Sequence, residues 1–372
     1  MITGIEYESI LKNKENYILI DTRCPREYAE ATIPGAVNIP LFEDHQHEAI
    51  GICYKNVGKE ESVRLGIGYI SERLPWIYEQ IMQIRQDRKK LALFCARGGM
   101  RSSSIGSLLQ SLGVPVVKID KGYKGYRQFL NNALPEIVEK FTFIPIYGRT
   151  GSGKTYILDE IAKLGYPVLD LEKCANHRGS LLGGIGLGAC NSQKMFESLV
   201  FDSLCNVYKP YVFTEGESKR IGKIIMPEYL YDAVIGGEKI LINTNTAKRV
   251  ENIRREYITE DTQTDEIVAA IMSMEPYLGA QRAEEYSAMV REGRYDEVIE
   301  TLMVKYYDSA YSTKNKEFIC EFENEDEAET AEALIAFAED KYGGHGAGDD
   351  DCDMRRRKNS VLYAANKLNF RY

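Results

Sequence analysis

GRTGSGKT, residues 148–155, is the stretch that decides the fold of the second half of the chain. It fits the pattern G-x-x-x-x-G-K-[ST], whose glycines let successive backbone N–H groups point inward at phosphate oxygens. The lysine adds a positive charge, and the threonine hydroxyl is a ligand for Mg²⁺. The phosphate-binding residues that this motif predicts are Gly148, Gly151, Ser152, Gly153, Lys154 and Thr155.

The sequence on either side supports this interpretation of the loop. The apolar run FTFIPIY, residues 141–147, predicts a strand before it, and TYILDEIAKL, residues 155–164, predicts a helix after it. A helix that begins at the loop presents its positive N-terminus to the same anion. A glycine turn that merely joins strand to helix is the alternative.

Carboxylates follow the neighbouring strand candidates. Asp170 closes the predicted strand 167–170, while Glu215 and Glu217 follow the predicted strand 211–214. The second nucleotide-binding motif usually has an aspartate there, so the motif predicts bound phosphate rather than nucleotide hydrolysis. We expect these three carboxylates to contact Mg²⁺ or a diphosphate. Solvated charges at a strand end are the alternative.

A second loop, CARGGMRS at residues 95–102, follows the predicted strand 91–94 and precedes a predicted helix over 102–112. Inward-pointing amides and the helix dipole would stabilise a thiolate at Cys95 and bind an anion. Arg97 and Arg101 add positive charge, so these three residues are the predicted catalytic set. We expect the Ser102 hydroxyl to cap the helix. A buried structural thiol at Cys95 is the alternative.

Two chemistries use a loop of this kind: sulfur or selenium transfer in rhodaneses, and phosphate-ester hydrolysis in C-x₅-R phosphatases. Cys95 and Arg101 fit C-x₅-R, but Phe94 stands where phosphatases usually have histidine. Upstream, DTR at residues 21–23 and IPGAVNIP at residues 33–40 resemble the two rhodanese signatures. Some phosphatases share the rhodanese fold, so that alternative stays open.

Strand and helix candidates alternate along both halves, which predicts an α/β protein with parallel sheets. We expect a rhodanese-like domain at residues 1–133, followed by a P-loop NTPase-like domain with a parallel sheet at residues 134–342. The remaining residues 343–372 begin with a run rich in glycine and aspartate, which predicts a mobile or loosely docked tail.

The composition excludes several classes of protein. Among 372 residues, 44% are hydrophobic, and we find neither a signal peptide nor an apolar run long enough for a membrane span. The eight cysteines form no C-x-x-C pair and there are four histidines, so we predict reduced thiols, a cytoplasmic protein and no metal beyond Mg²⁺. A net charge of −9 argues against extensive contact with nucleic acid.

The pairing of these two loops in one chain resembles the tRNA 2-selenouridine synthase family. Further stretches carry the same resemblance: DLEKCANHRGS at residues 170–180, EGESKRIG at residues 215–222 and YKNVGKEESVRLG at residues 54–66. Residues 181–190 and the tail match no pattern of that family. His177, Arg178, Lys219 and Arg220 lie in the shared stretches and are predicted contacts for RNA or another anion. A helix cap and a plain charged turn are the alternatives.

The resemblance implies a transferase whose substrate is a tRNA with a 2-thiouridine at the wobble position. In this family selenium from selenophosphate replaces the sulfur, and a geranylated 2-thiouridine made from geranyl diphosphate is the intermediate. The resemblance implies no tightly bound cofactor. On this view the P-loop holds a diphosphate, with or without Mg²⁺, and Cys95 is a nucleophile or a selenium carrier.

Two other functions remain compatible with the residues. One is an ATP-dependent kinase or NTPase with a rhodanese-like regulatory domain, and the other is a scaffold whose loops only bind anions. Arg249, Arg254 and Arg255 lie on one predicted helix and would either extend a basic face toward RNA or form a solvated face.

Overall fold

A computed structural model of the chain describes residues 2–86, 88–216, 218–259, 263–310 and 316–343. The chain divides into two compact units, residues 1–134 and the part that starts at Pro135. The sequence-based boundary lay one residue earlier, and the predicted tail from residue 344 lies outside the described residues. Within the described ranges, no helix combines the length and the apolar character that crossing a bilayer requires.

The first unit is built on parallel strands. Its strands are β1 (Gly4–Ile5), β2 (Tyr17–Asp21), β3 (Val37–Asn38), β4 (Lys90–Phe94) and β5 (Val116–Ile119). Its helices are α1 (Tyr7–Leu11), α2 (Pro25–Glu30), α3 (Asp44–Asn56), α4 (Lys59–Ile84), α5 (Met100–Ser111) and α6 (Gly122–Val138), with a 3₁₀ turn at Lys14–Asn16. In the described part of this unit the strands form one sheet in the order β1-β5-β4-β2-β3.

The central strand β4 shows why this unit folds as a parallel sheet. Leu91, Leu93 and Phe94 are each at most 1% exposed, so the strand is covered on both faces. Such strands have continuous apolar runs rather than alternating ones. Ile20 of β2 and Ile105 of α5 pack in the same cluster as Leu91.

The DTR signature forms a buried polar cluster beside this core. The Arg23 guanidinium donates to Asp21 Oδ2 at 2.6 Å, and the Thr32 hydroxyl donates to the same oxygen at 2.9 Å. The same guanidinium lies 4.0 Å from the ring centroid of Tyr123 and donates to the Ala31 carbonyl. The cluster therefore ties the end of β2 to the segment that enters β3 and to α6.

The second unit contains a second parallel sheet. Its strands are β6 (Thr142–Tyr147), β7 (Val168–Leu169), β8 (Tyr211–Glu215), β9 (Arg220–Ile221), β10 (Ile224–Ile225), β11 (Ile240–Asn243) and β12 (Cys320–Glu323). In the described residues of this unit, five of them form a sheet in the order β12-β11-β6-β8-β7. The other two, β9 and β10, pair antiparallel as a short hairpin.

The helices of the second unit cover this sheet and form an additional apolar cluster. They are α7 (Lys154–Lys163), α8 (Leu171–Ala175), α9 (Gln193–Cys205), α10 (Glu228–Gly236), α11 (Thr246–Tyr257), α12 (Thr264–Ser273), α13 (Glu275–Leu278), α14 (Ala280–Arg291), α15 (Tyr295–Leu302), α16 (Asp308–Ala310) and α17 (Glu327–Tyr342). Apolar side chains of α12, α14 and α15 pack together with Ile185 in a cluster separate from the sheet core.

The apolar pattern over residues 296–307 predicts a helical stretch, and the chain is helical over these residues, but two types of helix share them. Helix α15 ends at Leu302, and Met303–Tyr307 forms a π-helix. A π-helix has i→i+5 rather than i→i+4 hydrogen bonds, and five residues are too few for the spacing of apolar residues to reveal the difference. Sequence periodicity therefore could not distinguish the two.

We expect Asp21→Ala to lower the free energy of unfolding by about 3–5 kcal/mol, because it leaves the buried Arg23 without its carboxylate. Urea unfolding of the full chain, followed by circular dichroism, measures this loss. The control is Glu8→Ala, which removes an exposed ion pair with Lys12 and should cost less than about 1 kcal/mol. Equal losses in the two variants would contradict a structural role for the buried cluster.

Candidate functional site

The cysteine loop, residues 95–102, lies where β4 ends. The Cys95 side chain is 3% exposed, and the start of α6 holds the loop from behind. Tyr123 N–H donates to the Cys95 carbonyl and Lys124 N–H to the Ala96 carbonyl, both at 2.9 Å. Gly98 has φ +63°, and a Cβ there would lie 2.9 Å from the Gly122 nitrogen. The loop curls tightly because this position is glycine.

The surroundings of Cys95 favour its thiolate. Burial by itself would raise the pKa of Cys95, but hydrogen bonds from Ser102 and the charge of Arg101 outweigh it, and the pKa is lowered. Cys95 Sγ lies 3.3 Å from Ser102 Oγ. The prediction that Ser102 caps the helix is wrong, because α5 begins at Met100 after Gly99. Ser102 lies inside the first turn and faces the sulfur instead.

Arg101 is held in place by a carboxylate that the sequence analysis did not select. Its Nη1 donates to Glu27 Oε2 at 2.5 Å, and its Nη2 lies 3.3 Å from Glu27 Oε1. Burial opposes ionisation of Glu27, yet the Arg101 guanidinium lowers the pKa of this carboxyl to about 2. Arg97, in contrast, is exposed on the loop. Glu27 and Arg101 are 74 residues apart in the sequence, so no local pattern links them.

The P-loop, residues 148–155, is clamped through its carbonyl groups. Arg249 Nε donates to the Thr150 carbonyl at 2.9 Å, and Asn252 Nδ2 donates to the Gly151 carbonyl at 3.0 Å. Asn324 Nδ2 and Thr244 Oγ1 both donate to the Ser152 carbonyl. Gly151 and Gly153 adopt φ +79° and +85°. With the carbonyls held from outside, the amides of the curled loop are left for an anion.

The three arginines of α11 differ: Arg254 and Arg255 lie on a partly exposed face, as one of the two expectations had it, whereas Arg249 fits neither expectation. The Arg249 side chain is 3% exposed and forms an ion pair with Asp308 at 2.6 Å. It is therefore accessible neither to solvent nor to an RNA. Arg254 pairs with Asp296 on the surface, and Arg255 stacks on the Tyr156 ring at 3.5 Å. Arg249 is thus a structural support of the P-loop, which its sequence position alone did not indicate.

A cleft of about 530 Å³ opens over the P-loop, and we name it the P-loop cleft. Lys154 Nζ donates to the Gly148 carbonyl at 3.2 Å, and Thr155 lines the wall. Ser152 Oγ and Asn252 Oδ1 are buried without a hydrogen-bond partner among the described residues. Buried polar atoms normally have partners, so these two indicate room for a polar ligand.

Two carboxyls meet beside this cleft. Glu215 is the last residue of β8 and is fully buried. Its Oε2 accepts a hydrogen bond from the Leu171 N–H at 2.8 Å. Asp170 accepts a hydrogen bond from the Lys173 N–H at the start of α8. Burial, and then repulsion from Asp170, hold the pKa of Glu215 well above its usual range, and burial also raises the pKa of Asp170. Glu217 lies outside the described residues.

These residues fit a divalent cation. Glu215 Oε1 is a buried oxygen that receives no hydrogen bond within the described ranges, and Thr155 and Asp170 line one cavity. Oxygen ligands of this kind suit Mg²⁺, whose charge would relieve the repulsion between the two carboxyls.

Of the four predicted RNA or anion contacts, Arg178 lines the P-loop cleft, and His177 lines the cavity that also contains Asp170. Lys219 and Arg220 line neither space. His177 packs its ring against Gly183 and Gly222, and burial lowers the pKa of its imidazole. Arg178 is already engaged: it pairs with Glu256 at 2.9 Å and stacks 4.7 Å from the Tyr257 ring centroid. Lys219 and Arg220, at the start of the β9–β10 hairpin, make contacts at the surface instead. Lys219 lies 3.4 Å from Glu228, and Arg220 donates to the Gly222 carbonyl.

An apolar cavity of about 70 Å³ adjoins the P-loop cleft. Its walls come from α11, α12, α14, α15 and the π-helix, with Leu182 and Ile185 from the segment after α8. The residues that line both spaces are Thr150, Ser180, Ile253, Tyr257 and Tyr307. The arrangement therefore offers a charged head-group site next to a hydrocarbon-lined recess, which the sequence analysis did not predict.

Comparison with known proteins places both units. The family model described as tRNA 2-selenouridine synthase AAA domain matches residues 141–339, and the model of the rhodanese-like domain matches residues 6–129. These matches confirm the predicted fold class of each half and the resemblance seen in the two loops.

Individual relatives agree with the family models. A tRNA 2-selenouridine synthase of Hydrogenovibrio crunogenus is 30% identical over 83% of this chain and 92% of that protein. The protein of the same name from Nitrosomonas eutropha is 35% identical over 64% of this chain, and the match spans 63% of its length. A crystallised N-terminal domain from Clostridium difficile 630 is 41% identical over 34% of this chain and 98% of that domain, with a TM-score of 0.33.

We expect Cys95 to react with iodoacetamide with a midpoint pH below the ordinary thiol value, because its pKa is lowered. Ser102→Ala should move this midpoint to higher pH by removing a hydrogen bond to the thiolate. Peptide mass spectrometry of samples alkylated across a pH series measures it, and Cys24, whose pKa is raised to about 11, is the internal reference. Ser104→Ala, an exposed change on the same helix, is the control. An unchanged Cys95 midpoint in Ser102→Ala would contradict the role of Ser102 in lowering the pKa of Cys95.

Proposed function

The chain belongs to the tRNA 2-selenouridine synthase family, and from that premise we propose that it replaces the sulfur of wobble 2-thiouridine in tRNA with selenium. The selenium donor is selenophosphate, and the intermediate is a geranylated 2-thiouridine made from geranyl diphosphate. The names of the relatives support selenation of tRNA. We place the reaction in the cytoplasm because its substrate is tRNA.

The observation that carries the geranyl step is the apolar cavity beside the P-loop cleft. A prenyl diphosphate has an anionic head and a hydrocarbon tail, and the two adjoining spaces match these two parts. The amides of the P-loop and Lys154 suit the diphosphate. Ile253 and Tyr257 line both spaces, so the first part of the prenyl chain would lie along them.

The first step is a substitution at the first carbon of geranyl diphosphate. The uridine sulfur forms a bond to that carbon, the carbon–oxygen bond to the diphosphate breaks, and the nucleobase loses its N3 proton. Negative charge develops on the departing diphosphate, where the P-loop amides and Lys154 stabilise it. Mg²⁺ held by Thr155, Asp170 and Glu215 would supply further positive charge to the same leaving group.

The second step replaces the geranylated sulfur. Selenium of selenophosphate forms a bond to C2 of the base, the carbon–sulfur bond breaks, and geranyl thiolate leaves. The phosphorus–selenium bond then has to break. The Cys95 thiolate attacks phosphorus, a sulfur–phosphorus bond forms, and selenium stays on the base. Water then hydrolyses the phosphocysteine and releases phosphate.

Electron balance favours Cys95 as nucleophile over Cys95 as selenium carrier. Selenium in selenophosphate is already fully reduced, so a sulfur–selenium bond to Cys95 would need an oxidant. Attack on phosphorus needs none, and a C-x₅-R loop with Arg101 beside the sulfur suits a phosphoryl group.

Two substitutions should separate the two steps. We expect Lys154→Ala to slow geranyl transfer by about 10²-fold or more, because the leaving group loses a cation. Cys95→Ala should leave geranyl transfer intact and abolish selenation of pre-geranylated tRNA. Nucleoside mass spectrometry after incubation with thiolated tRNA, geranyl diphosphate and selenophosphate measures both products.

Lys163→Ala, at the far end of α7, and Cys53→Ala, in α3, are the matched controls and should keep both activities. Full selenation by Cys95→Ala would overturn the role of the cysteine loop. Rapid ATP turnover without RNA, together with no modified nucleoside, would favour the NTPase alternative over the proposed function.

The apolar cavity makes its own prediction about binding. Ile253→Asn should weaken geranyl diphosphate binding by roughly tenfold, because an amide placed against the prenyl chain loses solvation. Binding of inorganic diphosphate should stay unchanged, and calorimetric titration of both ligands measures the difference. Ile225→Asn, a change at a side chain that is 60% exposed, is the control. Equal weakening of both ligands by Ile253→Asn would contradict a prenyl site there.

A further inference from the structure

A cluster of three metal-type ligands lies in the first unit, next to the cysteine loop. Cys24 precedes α2, Glu27 lies in the first turn of α2, and His47 lies in the first turn of α3. Cys24 is 1% exposed, while Glu27 and His47 are half-buried. One donor atom from each residue lies within 4.8 Å of the donor atoms of the other two. We call this set the Cys24 cluster.

Both distances from Cys24 to the other donors of the Cys24 cluster match those of a tetrahedral metal centre. Cys24 Sγ lies 3.3 Å from Glu27 Oε2 and 3.8 Å from His47 Nδ1. Bonds of about 2.0–2.3 Å to a tetrahedral Zn²⁺ separate neighbouring ligand atoms by about 3.3–3.8 Å. The donors could therefore surround one ion without a large rearrangement of the backbone.

We propose that Cys24, Glu27 and His47 bind a divalent cation of the zinc type through one sulfur, one oxygen and one nitrogen. Thiolate and imidazole select such a borderline-soft ion over Mg²⁺ or Ca²⁺, which take oxygen ligands. The fourth position is open to water or to the neighbouring Asp44 carboxylate, which interacts with the Cys24 thiol. On binding, the thiol proton leaves to solvent and sulfur bonds to the metal.

The cluster is linked to the cysteine loop through Glu27. The same Oε2 atom that lies 3.3 Å from Cys24 Sγ accepts the hydrogen bond from Arg101 at 2.5 Å. An ion bound to this oxygen competes with the Arg101 guanidinium for it. Metal occupancy would therefore loosen the residue that adds positive charge beside Cys95.

Cobalt spectroscopy tests the site without reference to catalysis. The reduced full-length protein, stripped of metal with a chelator, is titrated with Co²⁺ alone. We expect one equivalent to produce the visible bands of tetrahedral cobalt and a near-ultraviolet thiolate-to-cobalt band, both of which Zn²⁺ then removes by displacement. Cys24→Ser should lose the thiolate band, whereas Cys53→Ser and Cys95→Ser should retain it.

His47→Gln provides a second variant, with folding checked by circular dichroism. It should retain the thiolate band but bind Co²⁺ at least about tenfold more weakly. Loss of a residue that only hydrogen-bonds to a metal ligand already lowers metal affinity by about that factor. The proposal is overturned if the wild-type protein shows no tetrahedral bands, or if folded Cys24→Ser keeps the thiolate band. Unchanged Co²⁺ affinity in His47→Gln would equally overturn the ligand set.

Discussion

The carboxyl end of a parallel strand leaves backbone groups without a partner in the sheet, and the two loops of this chain are built on that constraint. β4 runs into Cys95, β6 runs into Gly148, and each loop leads into a helix. A loop at the carboxyl end of a strand binds an anion only if its backbone N–H groups are held pointing toward that anion. The start of α6 fixes the first loop, while Arg249, Asn252, Asn324 and Thr244 fix the second.

The parts of the sites that are local in sequence were predictable, and the parts that depend on distant contacts were not. Strand, loop and helix follow one another within about 20 residues at each loop, so apolar runs and glycine spacing indicate them. Asn324 contacts a loop more than 170 residues away, and Glu27 meets Arg101 across 74 residues. No spacing rule predicts such pairs from one sequence. Cys24 and His47 similarly fit no metal-ligand spacing, since a turn of the fold brings α2 and α3 together.

Burial opposes the charged forms of Cys95, Cys24 and Glu215, and the neighbouring groups decide the net direction of each pKa shift. Cys95 and Cys24 lie in the same unit, yet the pKa of Cys95 is lowered while that of Cys24 is raised. Donors surround the first sulfur, whereas carboxylates surround the second. In the other unit, Glu215 has a second carboxyl rather than a cation for a neighbour, and its pKa rises. The sign of the neighbouring charge, rather than the depth of burial, therefore distinguishes these three groups.

The π-helix Met303–Tyr307 connects the wall of the apolar cavity to the residue that supports the P-loop. Its extra residue advances every later side chain by about 100° around the axis relative to an uninterrupted α-helix. With that phase, Met303 and Tyr307 line the apolar cavity, and the next residue, Asp308, meets Arg249 behind the P-loop. Loss of one residue from this segment would move the recess wall and the loop support together.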